Sequence, residues 1–405
     1  MTQTTETMPA LKRDLGLVLF TLYGLGNIIG AGIYVLVGEV AGAAGYQAPF
    51  AFILAALIAG ASGLSYGELS ARYPTSAGEA VFLYKAFGIP KLSVAVGLLI
   101  ATAGLVSAAT MARGFVGYFN VFLDVPDWLV IVVVLTVLTL IAIRGIIESA
   151  RVAALLTLIE IGGLVWVVVV AAPNLTNLAD VTFAEAIPTS GLAWQGVLAA
   201  GFLAFFAFIG FEDMVNVAEE VKDPQRTMPL GIMMAFVVAT ILYVLVVLVA
   251  LMTVDPAELG TSEAPLADVY RAATGEKATF ISLIGLIAVI NGGLIQIIMA
   301  SRIFFGMSRN GWLPAALKHI NPRTHTPIRA TLVAGAVALT FALALPLVSL
   351  AQITSGMILG VFVMINVSLV RIKLRGPTPE GIRAVPIAIP IIAALSSLFV
   401  LLASI

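Results

Sequence analysis

Long apolar runs recur along the chain, and each is separated from the next by a short polar break. Each run is close to the length of about 20 residues that a helix needs to cross the hydrocarbon core of a bilayer. None of them alternates apolar and polar positions as a transmembrane strand would, so a helix is the expected element. The pattern therefore predicts an all-α, multi-span membrane protein with eleven transmembrane helices. The predicted spans are 15–40, 47–69, 92–119, 126–143, 152–171, 194–218, 229–252, 278–307, 327–345, 348–370 and 385–405.

The composition supports a membrane protein and excludes most soluble classes. Of the 405 residues, 60% are hydrophobic and 11% are charged, whereas a soluble domain carries roughly 25% charged residues. The 21 basic and 22 acidic residues nearly cancel, so no bulk charge attracts nucleic acid. There is no cysteine, and the two histidines, His319 and His325, share one polar loop. We therefore expect no metal site, no cofactor and no enzymatic activity, since the chain also lacks a nucleophile–base motif and a phosphate-binding loop.

The basic residues predict the orientation of the chain in the membrane. The first apolar run is longer than a signal-peptide h-region, roughly 7–15 residues, so we interpret it as an uncleaved span that follows a cytoplasmic segment, residues 1–14. With the N-terminus inside, all but three of the 21 basic residues fall on the cytoplasmic side. The exceptions are Arg113, Arg271 and Lys277. The positive-inside rule then predicts a cytoplasmic-membrane protein with an extracellular C-terminus.

Two of the predicted spans contain residues that interrupt a helix near the middle of the membrane. Span one carries four glycines between positions 24 and 32, and each weakens a helix by about 1 kcal/mol relative to alanine. Span six carries Gly210, followed by Glu212 and Asp213, at a matching depth. Secondary transporters built from inverted repeats have broken helices at their binding sites. Here two repeats of five spans would cover residues 15–171 and 194–371, and an eleventh helix would follow at 384–405.

The backbone groups released by two such breaks match the head group of an α-amino acid. In span one, free amides near Ala31 would face a carboxylate, and free carbonyls at Ile28 and Ile29 would face an ammonium group. Free carbonyls at 206–208 in span six would add to the ammonium site. Two alternatives stay open here. The glycines could serve close helix packing, and Glu212 with Asp213 could cap a restarting helix.

Several motifs resemble those of the amino acid–polyamine–organocation transporters. They are KRDLG at 12–16 with GNIIGAGIY at 26–34, YGELSARYP at 66–74, GFE at 210–212 with AEEVKDPQR at 218–226, and SR at 301–302 with MSRNGWLP at 307–314. They follow the family's order over nearly the whole chain. The resemblance implies the leucine-transporter fold, with five-plus-five inverted repeats, and transport of amino acids or amines by alternating access. The family usually has twelve spans, one more than predicted here.

By motif position, the resemblance implies a substrate site on the two breaks. The amides of Gly30, Ala31 and Gly32 would bind the carboxylate, while the carbonyls of Ile28 and Ile29 would bind the ammonium group. In span six, the carbonyls of residues 206–208 would also bind the ammonium group, and residues 209 and 210 would complete the break. These five residues are Phe206, Ala207, Phe208, Ile209 and Gly210.

One carboxylate lies within span five, where a charge at the bilayer centre costs roughly 2.5–3.5 kcal/mol. Glu160 shares a small, polar helical face with Thr157 and Gly163, so we expect it to point into the bundle. The family often carries a lysine at this position, and the reversed charge leaves the coupling scheme open. Glu160 could exchange protons, bind a cation directly, or be a packing carboxylate that bonds a backbone turn. Glu212 is a second candidate for coupling.

These observations predict a secondary active transporter of amino acids. Small or apolar residues in spans three and eight, such as Ala103 and Ser107, favour a neutral side chain. Proton coupling or exchange is favoured over sodium, since Ser301 is a lone hydroxyl and a hard cation needs several oxygens. The alternatives are a polyamine or cationic amino acid carrier of the same fold, and an amino acid receptor that does not transport. The expected partners are the substrate, protons and the lipid bilayer, but not nucleic acid; the sequence leaves the oligomeric state open.

Overall fold

The computed structural model describes residues 13, 15–75, 78–144, 150–309, 311–324 and 326–404, without the side chains of residues 31 and 150–153. Apart from Arg13, the predicted cytoplasmic segment 1–14 lies outside these residues, as does His325. No β-strand occurs among the described residues; the chain is built from helices joined by short connections. An all-helical fold is therefore confirmed for this part of the chain.

The described residues form fifteen α-helices and five 3₁₀ helices, and two of the 3₁₀ helices, Phe206–Phe208 and Glu212–Glu220, follow the eighth α-helix. The α-helices are α1 (Leu17–Ala44), α2 (Ala48–Arg72), α3 (Gly78–Phe87), α4 (Pro90–Asn120), α5 (Asp127–Arg144), α6 (Ala150–Ala171), α7 (Phe183–Ala186), α8 (Gly191–Phe205), α9 (Pro224–Thr253), α10 (Pro256–Leu259), α11 (Pro265–Thr274), α12 (Thr279–Arg309), α13 (Ile328–Ala344), α14 (Leu347–Arg375) and α15 (Ala388–Ala403).

Eight segments of the described chain are long and apolar enough to cross a membrane, and shorter apolar helices accompany them. The eight are Gly32–Arg72, Pro90–Asn120, Asp127–Arg144, Ala154–Asp180, Gly191–Glu220, Pro224–Thr253, Thr279–Arg309 and Leu347–Arg375; the shorter ones are Leu17–Gly30, Ile328–Ala344 and Ala388–Ala403. Every predicted span falls on one or two of these segments. The protein is a multi-span membrane protein, while the count of eleven crossings stays a prediction.

Helix α1 lies at the centre of the bundle and packs against α6, α8, α9 and α12. Around it, α4 packs along α12, and α2 packs along α9. Many large apolar side chains remain exposed on outward helix faces, such as Leu140, Ile241 and Phe399. Because a bilayer offers these faces an apolar solvent, their exposure fits a membrane-embedded bundle.

Leu15, just before α1, is attached to the segment that follows the 3₁₀ helix Glu212–Glu220. The backbone amide of Leu15 donates to the carbonyl of Glu220 (3.0 Å), and the amide of Lys222 donates to the carbonyl of Leu15 (2.9 Å). Together they form an isolated parallel bridge between Leu15 and Val221. At the other end of α1, α10 and α11 lie against it. The two ends of α1 are therefore held by different parts of the chain.

A buried ion-pair network joins α2 to α14 and to the linker before α15. The Glu68 carboxylate is bonded by Arg72 (Nη2–Oε1, 2.6 Å) and by Lys373 (Nζ–Oε2, 2.8 Å). The amide of Val385 also donates to Glu68 (2.8 Å), and Arg72 donates to the hydroxyl of Thr378 (2.7 Å). These contacts hold the predicted cytoplasmic ends of two spans and the linker as one unit.

Candidate functional site

The first helix break lies where the glycine-rich stretch of span one predicts it. Helix α1 has a non-helical backbone at Gly30, with φ −11° and ψ −143°. It divides α1 into an inner half, Leu17–Gly30, and an outer half that begins at about Gly32. Ile28 and Ile29, just before the break, are buried. Ala31 follows it, and the side chain of Ala31 lies outside the described atoms.

The second break extends over several residues of span six. Helix α8 ends at Phe205, a 3₁₀ turn covers Phe206–Phe208, and Ile209 is extended (φ −67°, ψ 138°). Gly210 has a φ of +125°, a conformation that favours glycine because it has no Cβ. The chain resumes as the 3₁₀ helix Glu212–Glu220. The sequence predicts this segment as one span, whereas its α-helical part ends before the break.

The two breaks lie directly against each other. A Cβ on Gly32 would lie 2.5 Å from the Cα of Ala207, and a Cβ on Gly210 would overlap the backbone carbonyl of Asn27. Gly30 differs, because its nearest neighbours would be the Cα of Gly292 and the Cε of Met111, each at 3.9 Å. Glycine at Gly32 and Gly210 therefore permits an approach of backbone to backbone that any larger residue would prevent.

A tyrosine on α9 joins the carbonyls of both breaks. The hydroxyl of Tyr243 lies 2.7 Å from the carbonyl oxygen of Ile28 and 2.9 Å from that of Ala207. Its ring packs against Phe208, with centroids 5.1 Å apart. Acceptors from two interrupted helices thus converge on one donor. Sequence reasoning missed Tyr243, although a lone phenol within an aliphatic span was a usable signal, since a buried tyrosine hydroxyl needs a partner.

Glu160 lies inside the bundle, as its helical face predicts. Its side chain is fully buried, and its Oε1 accepts a hydrogen bond from Nδ2 of Asn291 on α12 (3.1 Å). Its Oε2 has no hydrogen-bond partner. The backbone carbonyl of Glu160 accepts from the hydroxyl of Tyr34 on α1 (2.6 Å). The side chain connects α6 to α12 beside the first break.

A small cavity of about 10 Å³, room for about one water molecule, lies between α4, α12, α14 and the second break. Ile209, Glu212 and Asp213 line it, together with Ser107 and Gln296. Of the small residues expected around a substrate side chain, Ala103 and Ser107 lie here; Gln296 was not anticipated, and Glu160 does not line this space. The cavity is therefore partly acidic, in addition to its small and apolar positions.

The two carboxylates beside this cavity have different partners. Oε2 of Glu212 accepts from the amide of Gly210 (2.8 Å), two residues earlier in the break, whereas no side chain caps the 3₁₀ helix Glu212–Glu220. Oδ2 of Asp213 instead accepts from Nε2 of Gln296 on α12 (3.0 Å). Glu212 thus stabilises the break itself, whereas Asp213 connects span six to α12.

The chain matches one family model from residue 15 to residue 405, and that model describes an amino acid permease. A branched-chain amino acid permease, BcaP of Bacillus subtilis (strain 168), is 30% identical, over 98% of this chain and 88% of its own length. A vacuolar cationic amino acid transporter 4 of Arabidopsis thaliana is 29% identical, over 92% of this chain and 65% of its own. A methylthioribose transporter of Bacillus subtilis is 28% identical, over 95% and 87% of the two chains.

Proposed function

This chain belongs to the amino acid permease family, and from that membership we propose that it is a secondary active transporter of amino acids in the cytoplasmic membrane, working by alternating access. The relatives are named as permeases and transporters, not as enzymes. We also propose eleven spans, with a cytoplasmic N-terminus and an extracellular C-terminus. Residues 15–171 and 194–371 would be the two inverted repeats, and 384–405 the extra helix. The breaks in the first and sixth spans support this division.

The substrate head group would bind between the two breaks. The amides at Gly30, Ala31 and Gly32 would hold the carboxylate, as free amides at a helix N-terminus do. The observation that carries this proposal is the convergence of the Ile28 and Ala207 carbonyls on one hydroxyl. Each carbonyl oxygen has two lone pairs, so the Tyr243 hydroxyl leaves one on each for an ammonium group. The carbonyls of Ile29, Phe206 and Phe208 would complete this acceptor set, and Ile209 and Gly210 would shape its wall.

Two classes of side chain have support from the residues near the site. Small and apolar positions, including Ala103 and Ser107, favour a neutral amino acid. The second candidate, a cationic amino acid or polyamine, is favoured by Glu212 and Asp213 in the same cavity. Neither carboxylate forms an ion pair with a lysine or arginine of the described chain. We give priority to the neutral class, because Gly210 and Gln296 already donate to these carboxylates.

Glu160 is the proposed coupling group, with protons as the coupled ion. A fully buried carboxylate favours its neutral form, and the unpartnered Oε2 can take a proton. Glu160 contacts Asn291, and the next residue, Gly292, lies opposite Gly30. The charge state of Glu160 is thereby linked to the first break. Exchange of one substrate for another is the alternative mode.

Uptake into proteoliposomes tests the function. Purified protein should accumulate labelled leucine when the outside is more acidic than the inside, and leucine amide should compete poorly because it lacks the carboxylate. The variant Gly32→Leu should abolish uptake. The matched control is Gly162→Leu, whose Cβ would meet no atom within 4 Å. Uptake of lysine or spermidine without leucine would favour the second candidate, and binding without uptake of any of them would indicate a receptor.

A further inference from the structure

Three acidic side chains lie together on the predicted cytoplasmic side of the second break. Glu212 and Asp213 begin the 3₁₀ helix Glu212–Glu220, and Glu79 lies in the first turn of α3. Their exposed fractions are 2%, 2% and 3%. Helix α3 packs on this 3₁₀ helix, where a Cβ on Gly78 would lie 2.6 Å from Val215. The three residues form what we call the carboxylate cluster.

The polar contacts of the cluster are incomplete. Glu212 and Asp213 each accept one hydrogen bond, whereas Oε1 of Glu79 has no partner. The hydroxyl of Tyr66, on α2, is fully buried and also has no partner, although it interacts electrostatically with all three carboxylates. Within the described chain, no lysine or arginine forms an ion pair with any of them.

The other charged groups nearby have partners of their own or point away. Tyr23 of α1 interacts electrostatically with Asp213. The same tyrosine also interacts electrostatically with Arg302 and Glu220. On the remaining elements, Arg72 and Lys373 both pair with Glu68, and Arg371 donates to the carbonyl of Ala86. Lys85 lies over the ring of Tyr73, and Lys91 is exposed. Among the described residues, therefore, no cation forms an ion pair with these three carboxylates.

Three buried carboxylates cannot all remain ionised next to one another, because burial and mutual repulsion both oppose the charged form. The unpartnered Oε1 of Glu79 gives a proton a place to bind. For Glu79, which lies outside the membrane spans, burial raises the pKa from an ordinary 4.5 to about 8, and the charge of Glu212 adds to this effect against an opposing backbone hydrogen bond.

The cluster also adjoins the small cavity beside the second break. Glu212 and Asp213 line the cavity between α4, α12 and α14, and α3 closes the cluster from the cytoplasmic side. We propose that Glu79 holds a proton beside Glu212 and Asp213 while the cytoplasmic side is closed, and releases it to the cytoplasm when that side opens and water reaches it. This second proton site rests on the proposed alternation between closed and open states, and it is separate from Glu160.

The sign of the pH dependence follows from the carboxyl of Glu79. In the closed state it binds a proton up to about pH 8, whereas a hydrated carboxyl releases it near its ordinary value of 4.5. The closed state is thus fully favoured below pH 4.5 and loses its advantage as the pH rises towards 8. One such proton changes the ratio of closed to open carriers by up to about tenfold per pH unit in this window.

Because the chain has no cysteine, a single introduced thiol can report opening without any transport measurement. Ser107→Cys places it in the cavity, where residue 107 is 2% exposed. An impermeant maleimide is applied to the cytoplasmic face of inside-out vesicles between pH 6 and 8. Each labelling rate is divided by the rate measured for Ala316→Cys, an exposed position. This division corrects for the ordinary pH dependence of the reaction between an exposed thiol and a maleimide. Ala103→Cys is a second reporter in the same cavity.

We expect the relative labelling rate to rise several-fold per pH unit. Adding Glu79→Gln should remove most of this rise at the same thiol, whereas Glu185→Gln, on an exposed side chain, should leave it unchanged. The proposal is overturned if Glu79→Gln leaves the pH dependence as it was, or if neither reporter shows any. Absence of uptake in the liposome assay would refute the transport function, but it would not alter this labelling result.

Discussion

Replacing Gly32 with alanine tests whether contact between the two breaks defines the substrate site. The new methyl carbon would lie 2.5 Å from the Cα and 3.1 Å from the Cβ of Ala207. Carbon atoms pack best at about 3.5–4.0 Å, so the overlap is about 1 Å. Since the nearest atom belongs to the backbone of Ala207, relief requires one interrupted helix to move away from the other.

The magnitude follows from the cost of overpacking, about 1–3 kcal/mol for one added methyl group. If that cost falls on the bound state, in which both breaks must hold one head group, affinity drops by about 5- to 150-fold. Gly30→Ala provides the contrast within the site, because its Cβ would meet ordinary contacts at 3.9 Å. We expect its affinity to fall less than that of Gly32→Ala.

The assay is equilibrium binding of labelled substrate to purified protein, with thermal stability measured in parallel. Gly162→Ala is the matched control, since a Cβ there has open space. Wild-type affinity in Gly32→Ala, with the protein folded, would refute the reasoning. A larger loss in Gly30→Ala than in Gly32→Ala would refute it equally, because steric contact with Ala207 would then not be the cause.

Three further substitutions test the buried polar groups. Glu160→Gln, which mimics the protonated carboxyl, should abolish the stimulation of uptake by a pH gradient while substrate binding persists; uptake that is still driven by protons contradicts the proposed role. Tyr243→Phe removes the single hydroxyl proton that two buried carbonyls share, a loss of about 1–3 kcal/mol that should weaken binding and lower the melting temperature; a variant with unchanged binding would show that the hydroxyl does not align the breaks. Glu68→Gln leaves buried cations such as Lys373 unpaired and should destabilise the fold by about 3–5 kcal/mol, against about 0–1 kcal/mol for Asp268→Asn in an exposed pair; equal melting temperatures for these two variants would contradict it.

Both helix breaks could be predicted from the sequence, because glycine and mid-span polar residues weaken a helix wherever it packs. The burial of Glu160 was also predictable, since its helical face carries small and polar neighbours. The hydrogen-bond partners of the buried polar groups could not be predicted. That Tyr243 meets Ile28, and that Gln296 meets Asp213, depends on how helices far apart in the chain rotate about their axes. Most helix ends were predicted to within about five residues, but α8 ends at Phe205 although span six was predicted to reach residue 218. Helix α9 starts at Pro224 instead of Pro229, because proline fits the first turn of a helix.

The bridge between Leu15 and Val221 also constrains the order of events during synthesis. Its two partners emerge from the ribosome about 200 residues apart, a delay of about 10–40 s at 5–20 residues per second. Throughout that interval the nascent chain holds the short, glycine-rich helix Leu17–Gly30 in the bilayer before the segment that secures it exists. Helix Leu17–Gly30 can therefore reach its final position only after the sixth span has followed it into the membrane.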